Sequence, residues 1–145
     1  MIIIILFIFI CQIFVNAETG ICGNDCKWEL KDEVLTISGN GDIDDFERFE
    51  GSCYPIVQRD DIKSVIIEDG IKYIGAFVFN LFIELRNVVI PSSVTMIGAS
   101  SFASCYKLTN ITIPSSVRII DDHAFTKCTS LKKFIVDPNN KFFFK

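Results

Sequence analysis

The sequence predicts a mainly β solenoid of 23-residue repeats with short turn or helical segments, preceded by an N-terminal β-hairpin that covers its first turn. Two observations predict this fold class. Stretches 85–107 and 108–130 match at position after position, and each matched pair, such as Pro91 and Pro114, is 23 residues apart. A fixed period of this size is typical of a stack in which no unit buries its apolar face alone. Upstream, two short runs alternate apolar and polar residues, as strands with one buried face do.

The first 17 residues predict a secretory signal peptide. Met1 to Val15 is almost wholly apolar, and Val15 and Ala17 are small residues of the kind that precede a signal-peptidase cut. An uncleaved anchor begins the same way and remains the alternative. The apolar run is short for a membrane span of about 20 residues, which favours cleavage. We therefore expect a secreted or cell-surface protein.

Length and charge limit the possible function classes. The 145 residues suffice for one domain, and the net charge is −4 with 14 basic residues scattered along the chain. Nucleic-acid binding needs a basic stripe that displaces phosphate counterions, so no nucleic-acid partner is predicted. No second long apolar stretch follows, so we predict no membrane span beyond the N-terminal segment. No motif calls for a cofactor.

The cysteines fit an exported protein. Cys11 would leave with the signal, and Cys22, Cys26 and Cys53 form an N-terminal group of disulfide candidates. One disulfide is expected among these three, and spacing alone leaves the pairing open. A zinc site is the weaker alternative, because no histidine nearby supplies a fourth ligand.

Residues 18–61 are predicted to form the N-terminal cap. Lys27 to Leu30 and Val34 to Ser38 alternate apolar with polar residues, which predicts a β-hairpin. Residues 43–61 are acidic and are interpreted as an irregular connection into the first repeat. A solenoid end exposes an apolar cross-section that atypical terminal elements cover. The expected covering side chains are Trp28, Leu30, Leu35 and Ile37.

The repeat region is predicted over residues 62–141. It contains three full repeats (62–84, 85–107 and 108–130) and a partial fourth within 131–145. In each repeat a short strand is closed by a residue such as Pro91, which lacks an N–H group. Val94 and Ile97 then bring the chain back along a second side.

Two further positions of the repeat carry structural predictions. Gly75 and Gly98 follow the isoleucine of the second side, and Asp121 stands there in the third copy. A left-handed backbone would suit glycine and be tolerated by aspartate, so we predict one at this corner. The aromatic residues at the next repeating position are predicted to stack as a core ladder: Phe79, Phe102 and Phe125.

The block IPSSVTMIGASSFASCYKLTNITIPSSVRIIDDHAFTKCTSLKKF resembles the BspA-like leucine-rich repeat family. Its units share the aromatic after a small residue, the Cys and the Leu that opens the next unit, and the likeness extends from about Cys22 to Pro138. The resemblance implies a leucine-rich-repeat solenoid at the surface of bacteria or microbial eukaryotes. For some members it also implies adhesion or binding to host and matrix proteins. The chain is short for this family.

If Val88 and Ile90 point inward, the residues between and beside them face outward. The outward residues at the middle of successive strands form a column at positions 66, 89, 112 and 135, and three of these four residues are apolar. An exposed apolar column of this kind often marks a partner surface. The alternative is that β-branched residues simply favour strands. The candidate binding residues on this face are Ser64, Ile66, Glu68, Asn87, Val89, Asn110, Thr112, Lys133 and Ile135.

Cys105 and Cys128 occupy equivalent positions in adjacent repeats. A disulfide between them is conceivable from the expected Cα separation. Two free core thiols are favoured, because side chains that stack in parallel do not readily reach the disulfide dihedral. Asn110-Ile111-Thr112 is a glycosylation sequon, and Asn110 is the candidate acceptor if the source cell glycosylates secreted proteins.

No catalytic site is predicted. His123 is the sole histidine of the chain and lies at a variable corner of the repeat. The acidic pairs at 44–45, 60–61 and 121–122 lack the alternating oxygen ligands of a calcium loop and are interpreted as solvated turns. The sequence thus predicts a non-enzymatic, secreted or surface-displayed binding protein with a protein ligand. The alternative is an N-terminal fragment of a longer surface antigen with no activity of its own.

Overall fold

The computed structural model describes residues 17–46 and 60–143. The predicted signal peptide, Cys11 and Cys53 lie outside the described residues, apart from Ala17. Over the described ranges the chain forms ten β-strands: β1 (Glu18–Gly23), β2 (Cys26–Lys31), β3 (Val34–Gly39), β4 (Ser64–Ile67), β5 (Tyr73–Ile74), β6 (Asn87–Val89), β7 (Met96–Ile97), β8 (Asn110–Ile113), β9 (Ile119–Ile120) and β10 (Lys133–Val136).

The predicted N-terminal hairpin is confirmed. β2 and β3 pair antiparallel, with Leu30 opposite Leu35, around a turn in which Asp32 and Glu33 both have positive φ. Two successive left-handed residues give a turn whose twist matches that of the strands. β1 adds a third antiparallel strand along β2 that the sequence analysis did not predict. Its two glycines obscure the alternation that otherwise indicates a strand.

The hairpin continues directly into the stacked repeats. β3 pairs in parallel with β4, so that Leu35 lies beside Val65 and Ile37 beside Ile67. β4 pairs in the same way with β6, and β8 with β10. β6 and β8 are neighbours in the stack but belong to separate hydrogen-bonded sheets. The second strand of the hairpin, β3, therefore serves as the first rung of the solenoid.

The second side of each repeat forms its own parallel sheet. Its strand order is β5-β7-β9, with Ile74, Ile97 and Ile120 in register. Residues 41–46, most of which the sequence analysis interpreted as part of an irregular connection, extend this side by one rung: the Ile43 N–H donates to the Tyr73 carbonyl oxygen at 3.0 Å. Ile43 is buried like the isoleucines that follow. The sequence analysis missed this rung because its acidic residues resemble those of a turn.

The prediction of a left-handed glycine corner is wrong. Gly75, Gly98 and Asp121 do not have positive φ; the left-handed residues lie further on, at Phe77, Ser100 and His123 and again at Leu81, Ser104 and Lys127. Both sets recur every 23 residues. Glycine at the corner serves close approach instead, because a Cβ on Gly98 would lie 2.8 Å from the Ala76 nitrogen of the rung below.

The core follows the predicted aromatic ladder. The rings of Phe79 and Phe102 stack with centroids 5.1 Å apart, and those of Phe102 and Phe125 with centroids 5.3 Å apart. Phe82 and Phe134 close the ladder edge-on at its two ends. The four predicted covering side chains of the cap are all buried: Trp28, Leu30, Leu35 and Ile37. One continuous core therefore runs from the hairpin into the repeats.

Candidate functional site: the outward strand face

The outward face of the parallel strands carries a column of β-branched side chains. Strand register aligns Thr36 with Ile66 and Val89, and Thr112 with Ile135. The three apolar members are exposed by 38% (Ile66), 54% (Val89) and 46% (Ile135). Alternation explains their position, because the inward neighbours, such as Val65 and Ile67, are fully buried.

Polar side chains flank this column. Asn87, Asn110 and Lys133 are exposed, and Ser64 is half-buried in register with Asn87. Glu68 is exposed just beyond the end of β4. The equivalent residues of later repeats are less exposed than Glu68, since Pro91, Pro114 and Asp137 are each half-buried. The nine candidate binding residues therefore share one face, with an apolar middle and a polar border.

The cap adds a depression at the edge of this face that the sequence analysis missed. A shallow cavity of about 440 Å³ lies between the hairpin and Glu68, lined by Lys27, Glu29, Thr36 and Ser38 among others. These residues occupy the outward positions of β2 and β3. The alternation of β2 and β3 already indicated which of their side chains face outward. The pairing of β3 with β4 was needed to show that this depression lies beside the repeats.

The N-terminal cysteines are part of the cap. Cys22 and Cys26 form a disulfide across the β1–β2 turn, with Cα atoms 5.3 Å apart. Cys53 lies outside the described residues. Cys105 and Cys128 are both free thiols, the first fully buried and the second partly exposed. These two cysteines therefore have the state that the sequence analysis favoured.

The histidine and the acidic pairs noted in the sequence lie at separate places in the structure. His123 is exposed at a left-handed corner. An Asp45 carboxylate oxygen accepts hydrogen bonds from the Tyr73 hydroxyl at 2.7 Å and the Ala76 N–H at 2.8 Å, which ties the cap to the first repeat. Asp121 accepts a hydrogen bond from the Asp122 N–H. Across residues 17–46 and 60–143, no group of three His, Cys, Asp or Glu side chains has the geometry of a metal site.

Tyr73 lies partly buried against the Asp45 carboxylate. Burial, followed by its hydrogen bond to the Asp45 carboxylate, raises the pKa of Tyr73 to about 12. Ionising this hydroxyl would place a negative charge against the Asp45 carboxylate and remove the donor. The bond is a structural tie between the cap and the first repeat.

Comparison with known proteins agrees with this architecture. The family model of the BspA type leucine-rich repeat region, with six copies, matches residues 56–144. The chain belongs to this family. No curated protein sequence is significantly similar to it. No helix in the part of the chain that the structure describes is long and apolar enough to cross a membrane.

Two solved structures share the fold of this BspA-type chain. A leucine-rich repeat protein from Eubacterium ventriosum ATCC 27560 is 26% identical, with a TM-score of 0.56 over 87% of this chain and 45% of its own. A second, from Bacteroides capillosus ATCC 29799, is 19% identical, with a TM-score of 0.54 over 83% of this chain and 99% of its own. This chain thus spans less than half of the first protein and nearly all of the second.

Proposed function

We propose that this chain is a secreted or surface-displayed, non-enzymatic binding protein that engages another protein, such as a host or matrix protein, through its outward strand face. The observation that carries the proposal is the exposed apolar column of Ile66, Val89 and Ile135 within a polar border. Membership of a leucine-rich repeat family supports protein binding as the general role.

Strand propensity alone explains the column poorly. Threonine is β-branched and satisfies the same backbone preference, and it occupies this column at Thr36 and Thr112. Isoleucine or valine at the other three positions adds apolar surface that water solvates unfavourably. A partner that covers this column would recover that free energy, at roughly 25 cal/mol per Å² of apolar surface.

Secretion is supported by the apolar N-terminal segment, in which Val15 and Ala17 are suitable for cleavage. β1 begins at Glu18, directly after this segment. Cutting after Ala17 would leave the first strand intact. The Cys22–Cys26 disulfide fits an oxidising compartment.

The test is a matched pair of substitutions to threonine. Val89→Thr removes apolar surface from the proposed face, and Ile119→Thr removes it from the opposite sheet; the two side chains are exposed by 54% and 51%. Both changes preserve strand propensity. Binding to immobilised collagen, laminin and fibronectin would be measured by surface plasmon resonance, with circular dichroism as the folding control.

We expect Val89→Thr, and more strongly the triple change of Ile66, Val89 and Ile135 to threonine, to weaken binding to whichever matrix protein is recognised. Ile119→Thr should leave binding unchanged. Equal binding by the triple variant and the parent chain would remove the strand face from the proposal. A failure of all three matrix proteins to bind would remove matrix adhesion from it.

A second proposal is that the chain is an N-terminal part of a longer surface antigen without separate activity. It is supported by the 45% coverage of the Eubacterium ventriosum protein and by the exposure of Phe134, Phe142 and Phe143 at the last rung. A thermal melt with size-exclusion chromatography separates the proposals. A cooperative melt of a monomer supports an independent domain, and aggregation with a broad melt supports the fragment.

A further inference from the structure

Cys105 and Cys128 form a stacked pair of thiols outside the strand face. They lie 23 residues apart, at equivalent places in adjacent repeats. Cys105 Sγ donates to the Phe79 carbonyl oxygen at 3.3 Å, and Cys128 Sγ donates to the Phe102 carbonyl oxygen at 3.1 Å. Because the two acceptors are themselves equivalent residues, both thiols point in the same direction in successive turns.

The general spacing of adjacent rungs is compatible with a bond between the two sulfur atoms. Neighbouring strands of a sheet lie about 4.8 Å apart. This spacing falls inside the Cα separation that a disulfide spans, about 4.4 to 6.8 Å. Closure requires each thiol to leave its carbonyl acceptor and turn toward the other, because parallel side chains do not present the disulfide dihedral.

The two thiols differ in access and in acidity. Cys105 is fully buried, whereas Cys128 is partly exposed. The neighbouring Cys128 side chain and burial both raise the pKa of the Cys105 thiol. The neighbouring Cys105 side chain lowers the pKa of the Cys128 thiol. Cys128 is therefore the more accessible of the two thiols and the one that ionises more readily, and the thiolate is the nucleophilic form.

We propose that Cys128 is a modification site for small-molecule disulfides and that Cys105 is the thiol that resolves the adduct. In the first step the Cys128 thiolate attacks one sulfur of the small disulfide. A bond forms between that sulfur and Cys128 Sγ, the sulfur–sulfur bond of the small molecule breaks, and one small thiolate leaves.

In the second step the Cys105 sulfur attacks Cys128 Sγ. The Cys105 proton passes to the small thiolate that the first step released. The adduct bond breaks and the second small thiol leaves, taking up a proton from water. Two protein thiols are oxidised to one disulfide, and one small disulfide is reduced to two thiols. The new bond joins the second and third repeats across adjacent rungs.

The test is to incubate the folded full-length chain with oxidised glutathione and follow it by intact-mass spectrometry and peptide mapping. The expected product has lost two hydrogen atoms and yields a peptide that links Cys105 to Cys128. A transient glutathione adduct on Cys128 should precede it. The linked form should melt at a higher temperature than the reduced form, because the bond restricts the unfolded chain.

Two variants distinguish the roles. Cys105→Ala should stop at a stable glutathione adduct on Cys128, and Cys128→Ala should leave Cys105 unmodified. Peptide mapping keeps Cys11 and Cys53 separate from this pair, and the time course of the parent chain gives the order of events if a variant does not fold. A persistent adduct without the linked peptide, or modification of Cys105 before Cys128, would overturn the proposal.

Discussion

Asn140 stands where the two preceding repeats carry a core valine, Val94 and Val117. It is buried, and its side-chain amide donates to the carbonyl oxygens of Pro114 at 3.0 Å and Val117 at 2.8 Å. Its side-chain oxygen accepts from the N–H groups of Phe142 and Phe143. The departure from the repeat therefore fastens the chain after β10 to the rung below.

We predict that Asn140→Ala lowers the free energy of unfolding by about 2 to 3 kcal/mol, because two carbonyls lose donors worth about 1 kcal/mol each and a small void forms. Urea denaturation measures this. Asn140→Val restores the residue of the earlier repeats and should still lose about 1 to 2 kcal/mol. Asn139→Ala, at an exposed neighbour, is the control and should change stability little. A valine variant as stable as the parent would show that only apolar volume matters at Asn140.

The raised pKa of Tyr73 predicts that the free energy of unfolding falls at alkaline pH. Its folded-state pKa of about 12 lies above the ordinary tyrosine pKa of 10.0. The folded chain thus holds this proton more tightly than the unfolded chain does. The resulting stabilisation is fully present below about pH 10 and is lost as pH rises toward about 12.

Tyr73→Phe removes this titration together with the bond to Asp45. The variant should be less stable than the parent at neutral pH, and the gap should narrow between about pH 10 and 12. Urea denaturation across that range measures the difference. Tyr106→Phe is the matched control, because Tyr106 is exposed. A constant gap at all pH values would contradict the assignment of the tie to a neutral tyrosine hydroxyl.

At the scale of an element, the aromatic ladder distinguishes inner rungs from the outer one. Phe102 is fully buried between Phe79 and Phe125, whereas Phe125 is only partly buried. We predict that Phe102→Ala lowers the unfolding free energy by about 3 to 5 kcal/mol and Phe125→Ala by less. Chemical denaturation of both variants gives the comparison. Equal losses would mean that the two rungs are packed alike.

Individual elements differed in how well the sequence predicted them. β2, β3 and the strands of the repeats were predicted because alternation and a fixed period are properties of nearby residues. The rung at residues 41–46 was not, since its partner is the segment from Lys72 to Ala76 and its acidic residues resemble a turn. The role of Gly98 was also misassigned. Crowding from the rung below, which is not visible in local sequence, selects glycine there.

At the scale of the whole molecule, the pairing of β3 with β4 makes the cap and the repeats one structure. Trp28 is the single tryptophan of the chain and lies buried in the cap, whereas most strands lie in the repeats. We predict that thermal unfolding followed by Trp28 fluorescence coincides with unfolding followed by far-ultraviolet circular dichroism. Coincident transitions indicate a single cooperative unit.

Ile37→Ala sharpens this test, because Ile37 is fully buried in β3 and lies beside Ile67. The substitution should lower both transition temperatures together. A fluorescence transition that falls while the dichroism transition stays in place would show that the cap unfolds separately from the stack. Such a result would contradict the role of β3 as a rung of the solenoid.

The sequence by itself determined the period, the strand faces, the phenylalanine ladder and the outward column, because each depends on residue spacing within and between copies of the repeat. Only the tertiary structure decided that β3 is a rung, that Cys22 pairs with Cys26, and that Asn140 binds the turn below. These features join segments through space and have no repeated counterpart in the chain. For β3 and Asn140 the physical basis is the closeness of one rung to the next, where hydrogen-bond partners and steric limits come from residues distant in sequence. Cys22 and Cys26 are only four residues apart, and the antiparallel pairing of β1 with β2 brings them together.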